Sequence, residues 1–220
     1  MDGNVPLDYA PPDPQGQWRR RMLQVGLIVG CGLILLAGTC SMALRRARSQ
    51  ANAVGCASNL RQIGQAIQLY WQDYHAYPPD LRAVIQTQQI GSQTFTCPAS
   101  SDVRAPTGTA IGAPGTCSYI YVGIPFLAEI RPDAVVALED PANHDMDGGN
   151  VLYGDGHVEW VALPDVVQIL NDLQQGINPP SANTALTKRQ ATKVYEMKWK
   201  ALMPRLKSGV WRIPSTRPAG

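Results

Sequence analysis

Residues 22–44 form a run of twenty-three positions without a charge or a proline, with Gln24, Thr39 and Ser41 as its polar side chains. The hydrocarbon core of a bilayer demands about 20 such residues in helical form, because every backbone N–H and C=O must find its partner inside the segment. A secretory signal has a shorter apolar region, about 7–15 residues, and ends at a small-residue cleavage site. This run is longer and is followed by Arg45, Arg46 and Arg48. It predicts a transmembrane helix rather than a cleaved leader or the core helix of a soluble domain.

No proline interrupts the chain beyond the anchor until Pro78. Cys56, Leu60, Ile63, Ile67, Tyr70 and Tyr74 recur at steps of four and three, which is one apolar stripe on a helix. Arg61, Gln62, Gln65, Gln68, Gln72 and Asp73 fall between them and supply a solvated face. Pro78 ends the helix, since proline disfavours helical backbone in the residue before it. The stripe spans under three heptads and mixes in aromatics, so packing against a small sheet suits it better than a coiled-coil seam.

The segment Cys56-Ala57-Ser58-Asn59-Leu60-Arg61-Gln62-Ile63-Gly64, with Tyr70, Tyr77, Pro78 and the later Cys97-Pro98, resembles the first part of bacterial type IV pilin-like proteins. The branch it is most similar to is related to type II secretion pseudopilins and carries a late His, nine-residue, Asp-Gly element. Here His144 precedes Asp155-Gly156 by a spacer of ten. The resemblance implies an α+β, pilin-like fold: a long N-terminal helix, transmembrane then amphipathic, packed on a small antiparallel sheet. It also implies a single-pass protein of the inner (cytoplasmic) membrane whose C-terminal domain is extracytoplasmic. Pilin precursors carry a Gly-Phe cleavage site followed by a glutamate; Arg21-Met22 opens the apolar run instead, and no acidic residue lies within residues 22–44. That departure points to an uncleaved relative of pilins rather than a filament subunit.

The charge is asymmetric. Residues 51–183 hold four arginines against thirteen acidic residues, whereas residues 184–220 hold nine Lys or Arg and only Glu196. Lys188, Arg189, Lys193, Lys198 and Lys200 read as the solvated face of a helix over 185–202, with Val194, Met197, Ala201 and Leu202 opposite. Docking of this tail onto the acidic domain of the same chain also satisfies the charge. No zinc-finger or RNA-binding module accompanies it, so no nucleic-acid partner is expected. The positive-inside rule is close to a tie, with Arg19, Arg20 and Arg21 before the anchor and three arginines after it. Orientation therefore rests on the resemblance. The organisation read from these features is a Pro-rich segment 1–21, a transmembrane helix 22–44, a domain 45–163, a short helix and linker 164–183, and a basic tail 184–220.

Five cysteines divide into Cys31 and Cys40 in the anchor and Cys56, Cys97 and Cys117 beyond it. In an oxidising compartment Cys97 and Cys117 can close a loop rich in Pro, Gly, Ser and Thr. Cys56 with Cys97 is the rival pairing, and both stay open. No Cys-x-x-Cys is present, so a cysteine zinc site is not expected.

After Pro79 the pattern predicts a short helix at 81–86, a loop over 91–115, and strands at 117–122, 134–138, 150–153 and 157–161. Gly154-Asp155-Gly156 between the last two supplies a hairpin turn. Asp145, Asp147 and Asn150 are oxygen donors spaced for a calcium ion, although the position an EF-hand fills with glutamate is Gly156. His144, Asp155 and His157 supply imidazole and carboxylate, the ligand types of a metal-dependent hydrolase. No nucleophile elbow, P-loop or dinucleotide fingerprint occurs. The expectation is a non-enzymatic, structural and interacting membrane protein, associated with a type II secretion or pilus-like apparatus. The alternatives are a membrane-tethered metal hydrolase and a calcium-stabilised minor pseudopilin that enters a filament.

Overall fold

The computed structural model describes residues 14–123, 131–181, 185–208 and 211. The chain divides into two compact units, residues 1–48 and 49–220. Helix α1 runs over Pro14–Tyr74. Its apolar residues in the first unit, among them Leu27, Ile34, Leu35 and Leu36, are exposed. A helix this long and apolar can cross a membrane once.

The second unit begins with the amphipathic half of α1. Cys56, Leu60, Ile63 and Ile67 are buried as the stripe requires, and Ala57 and Ala66 widen it. Tyr70 is half-buried and Tyr74 is 53 % exposed, so the buried stripe stops short of its expected end. The two rings lie together at the helix terminus with centroids 4.5 Å apart. Helix α2, Leu81–Thr87, follows with Asp80 as its N-cap, the carboxylate accepting from the Ala83 N–H at 2.9 Å.

Four antiparallel strands lie in the order β1 (Tyr119–Tyr121), β2 (Val135–Glu139), β3 (Gly148–Tyr153) and β4 (Val158–Ala162). These are the four expected strands, shifted by a residue or two at their ends. In the β3–β4 hairpin, Tyr153 N donates to His157 O at 3.0 Å, and Gly156 takes the positive φ of +89°. A register shift between Val135 and Ala137 marks a bulge. It lets Val136 and Ala137 share one face while Val135 and Leu138 serve the other.

Both faces of the sheet are covered. On one, α1 packs Leu60, Ile63 and Ile67 against Tyr119, Tyr121, Val136 and Leu152. Gly64 permits the close approach, since a Cβ there would stand 2.9 Å from Leu152 Cδ1. On the other face lie α3 (Leu163–Gln174) and the basic tail. Strands β1, β2 and β3 are therefore buried on both sides while the edge strand β4 stays largely exposed, and β1 and β2 read as continuous apolar runs rather than as an alternation.

The tail differs from its expected form. It consists of α4 (Lys188–Val194), a π-helical turn (Tyr195–Trp199) and α5 (Met203–Lys207). The buried face is Ala191, Tyr195, Trp199 and Met203; of the residues expected there, Met197 is 69 % exposed and Leu202 is also exposed. A stripe at steps of four drifts around an α-helix of 3.6 residues per turn, and the wider π-turn takes that drift back. The Lys200 N to Tyr195 O bond of 3.0 Å closes it.

Candidate functional site

The polar groups gathered deepest in the second unit come from segments far apart in sequence. Strand β2 ends on Glu139, and Asp140 caps a single 3-10 turn, Pro141–His144, by accepting from Ala142 N at 3.0 Å. That turn carries His144 back over Glu139, and Nε2 donates to Oε1 at 2.8 Å. Asp145 and Met146 then take left-handed backbone, at φ 53° and 60°, to redirect the chain into β3. Such residues cost of order 1–3 kcal/mol each and persist only where the surroundings over-determine them. From β3, Asn150 fixes the other carboxylate oxygen, its backbone N–H at 3.3 Å and its Nδ2 at 2.9 Å from Oε2. Asn150 Nδ2 also donates to the Ala53 carbonyl of α1 at 3.0 Å.

A disulfide joins Cys56 to Cys97 beside this pair. The rival of the two pairings left open is thus the one formed, and the Cys97–Cys117 bridge is not. Helix α1 grips the 96–97 segment twice within one turn: through Cys56, and through Asn59, whose Nδ2 donates to Thr96 O at 3.0 Å. This is the physical content of the Cys-x-x-Asn spacing, because positions i and i+3 share a helix face. Cys97 N in turn donates to Ser118 Oγ at 2.9 Å. Cys117 is a buried free thiol whose Sγ–H donates to Tyr119 O at 3.3 Å, and burial pushes its pKa up to about 12.

Cys97 Sγ lies 3.7 Å from His144 Nε2. The ligand-type atoms of Cys56, Cys97, Glu139 and His144 all stand within 4.8 Å of one another, and all four residues are buried. Among the described residues this is the one cluster of its kind. A groove of about 680 Å³ reaches His144 and Asn150; Ala53, Val54, Ala57 and Arg61 of α1 form one side of it, and Asp147, Val158 and Trp160 the other. The Trp160 ring meets His144 edge-on at 5.2 Å.

The other expected site residues are distributed differently. Asp155 and His157 pair with each other on the exposed β3–β4 turn at 2.5 Å, and the N–H groups of His157 hold the Asp155 carboxyl below its ordinary pKa. His144 is buried with Glu139 instead, so the three do not converge on one metal. The hydrolase grouping is corrected accordingly: Asp155 lies in the turn and His157 just ahead of β4, and both side chains are exposed. Asp145, Asp147 and Asn150 do not share a centre either. Asp145 is exposed on the left-handed turn, Asp147 pairs with Lys188 of the tail, and Asn150 spends its amide on Glu139 and Ala53. Leu60 belongs to the core, while Arg61 and Gln62 are exposed and Arg61 reaches the groove.

Glu139 opens the acidic Glu139–Asn150 segment that supplies the calcium candidates, yet it belongs to none of the donor sets that the sequence suggests. Its signal there was a carboxylate ending a run of Val, Ala and Leu, a charge placed where burial demands a partner. No family model, curated protein or solved structure matches this chain.

Proposed function

We propose that this chain is a membrane-anchored, pilin-like interaction protein that crosses the inner membrane once and presents its folded domain outside the cytoplasm. The observation that carries this reading is helix α1, whose apolar side chains are exposed through residues 22–44 and buried in the core of the domain from Cys56 to Ile67. Exposed apolar surface of that extent marks a membrane or partner interface. A stem helix packed on an antiparallel meander also agrees with the resemblance of the Cys56–Gly64 segment to pilin-like proteins. The bridge between that segment and Cys97 suits an oxidising compartment. Without an acidic residue in residues 22–44, the anchor lacks the charge that pilins use in assembly, so the role assigned is tethering and recognition rather than polymerisation.

Alkaline carbonate extraction of membranes expressing the full chain tests this. The chain is expected to remain in the pellet and to enter solution only with detergent, whereas deletion of residues 22–44 releases it. Full release of the intact chain by carbonate would overturn the reading.

A further inference from the structure

The buried cluster beside the groove has a use that a structural disulfide does not require. We propose that Cys56, Cys97, Glu139 and His144 form a redox-gated zinc site, closed while the cysteines are joined and able to take one Zn²⁺ when a dithiol reductant separates them. The donor set is two sulfurs, one imidazole nitrogen and one carboxylate oxygen, which suits four-coordinate zinc.

Ligand atoms on a tetrahedron with zinc arms of about 2.0–2.3 Å stand about 3.3–3.8 Å apart. Cys97 Sγ and His144 Nε2 already stand at 3.7 Å. Glu139 Oε1 and His144 Nε2, at 2.8 Å, need to open by about half an ångström, which removal of the shared proton permits. The two sulfurs separate once their bond is cleaved. Asn150 holds the second Glu139 oxygen with two N–H groups, the outer support that ligating carboxylates receive in metal sites. The groove gives an ion a path to His144.

The dithiol gives two electrons and two protons to the Cys56–Cys97 bond and leaves as its own cyclic disulfide, so two thiols form. Zn²⁺ then displaces both thiol protons to the solvent. The ring proton on Nε2, hydrogen-bonded to Glu139, leaves to the solvent while Nδ1 takes one up, so the imidazole stays neutral, Glu139 stays a carboxylate and Nε2 is free for the metal. Disulfide and zinc are mutually exclusive because both need the same sulfur lone pairs.

The full chain in detergent, treated with a non-chelating phosphine or left oxidised, is incubated with zinc sulfate, desalted and analysed for metal. About one zinc per chain is expected after reduction and almost none before it. Cobalt(II) in place of zinc is expected to give thiolate charge-transfer absorption and the visible bands of a tetrahedral ion. Cys117→Ser retains the metal, and the Cys56→Ser, Cys97→Ser double variant loses it. Because that double variant can lose its fold, Asn150→Ala is measured alongside by competition with a chromophoric chelator; a fall in affinity of about 10- to 100-fold is expected. Absence of zinc from reduced chain that keeps its circular dichroism would overturn the proposal. So would equal retention by oxidised and reduced chain.

Discussion

Lys207 Nζ lies 3.0 Å from Asp102 Oδ2, joining the last helix of the tail to a loop 105 residues earlier in the chain. The ammonium is also 3.9 Å from Asp140, and all three side chains are largely buried. Ser118 Oγ donates to the same Asp102 oxygen at 2.8 Å, and the Tyr195 hydroxyl donates to Asp140. Among the described residues, the basic tail thus docks on the acidic domain through one buried cation, while Lys188 and Lys198 make exposed contacts to Asp147 and Asn171. Lys207→Met leaves two carboxylates buried without their cation and is expected to cost about 3–5 kcal/mol. Lys188→Met, at an exposed pair, is expected to cost no more than about 1 kcal/mol. Urea denaturation of both variants in detergent checks the contrast, and equal effects would refute this division of the tail.

The Cys56–Cys97 bridge closes a loop with a sequence separation of 41. Chain-entropy arguments give about 4 kcal/mol for a loop of that size. Reduction in the presence of a metal chelator, or the Cys56→Ala, Cys97→Ala double variant, is therefore expected to lower stability by about 2–5 kcal/mol. Thermal melts of oxidised and reduced chain read this directly, and coincident melts would show that the bridge contributes nothing.

Burial raises the Cys117 pKa from 9.0 to about 12, and it raises those of Tyr119, Tyr121 and Tyr195 as well. The folded chain therefore holds protons that the unfolded chain releases at alkaline pH. Stability is fully present below pH 9, and it declines as pH rises from there toward 12. For Cys117 the same shift predicts a thiol inert to disulfide reagents at pH 8 until the chain unfolds. A variant with Cys31 and Cys40 replaced by Ala isolates that signal; rapid labelling of its folded form would contradict the assignment.

A Cβ added at Gly148 would stand 2.2 Å from the Val161 carbonyl oxygen, and backbone cannot rotate away as a side chain can. Gly148→Ala is expected to force β3 from β4 and to displace the turn that carries His144. A loss of at least about 2 kcal/mol is expected, at the upper end of ordinary overpacking. At Gly55, inside α1, the nearest atom to such a Cβ is Pro98 Cγ at 3.4 Å, so Gly55→Ala is expected to be neutral or to stabilise by up to about 1 kcal/mol. Chemical denaturation of the two variants separates them.

The elements that the sequence made legible are those with strong local periodicity. The stripe Cys56, Leu60, Ile63 and Ile67 announced the stem helix, and Gly154-Asp155-Gly156 between two β-rich runs announced the hairpin. The buried cluster was not legible, because Glu139, His144, Cys56 and Cys97 come from a strand end, a turn, a helix and a loop that only the tertiary fold brings together. The tail stripe was hidden for a different reason. Ala191, Tyr195, Trp199 and Met203 fall on one side only through the π-turn, which no spacing rule for an α-helix anticipates.

If α1 crosses the membrane once, as proposed, the disulfide-bonded domain stands on the far side. Val103 is 70 % exposed on that domain and suits a reporter thiol. With Val103→Cys in spheroplasts, a membrane-impermeant maleimide is the most direct measurement. Labelling in intact spheroplasts, unchanged by lysis, is the predicted result. Labelling that requires the membrane to be broken would place the domain in the cytoplasm and refute that topology.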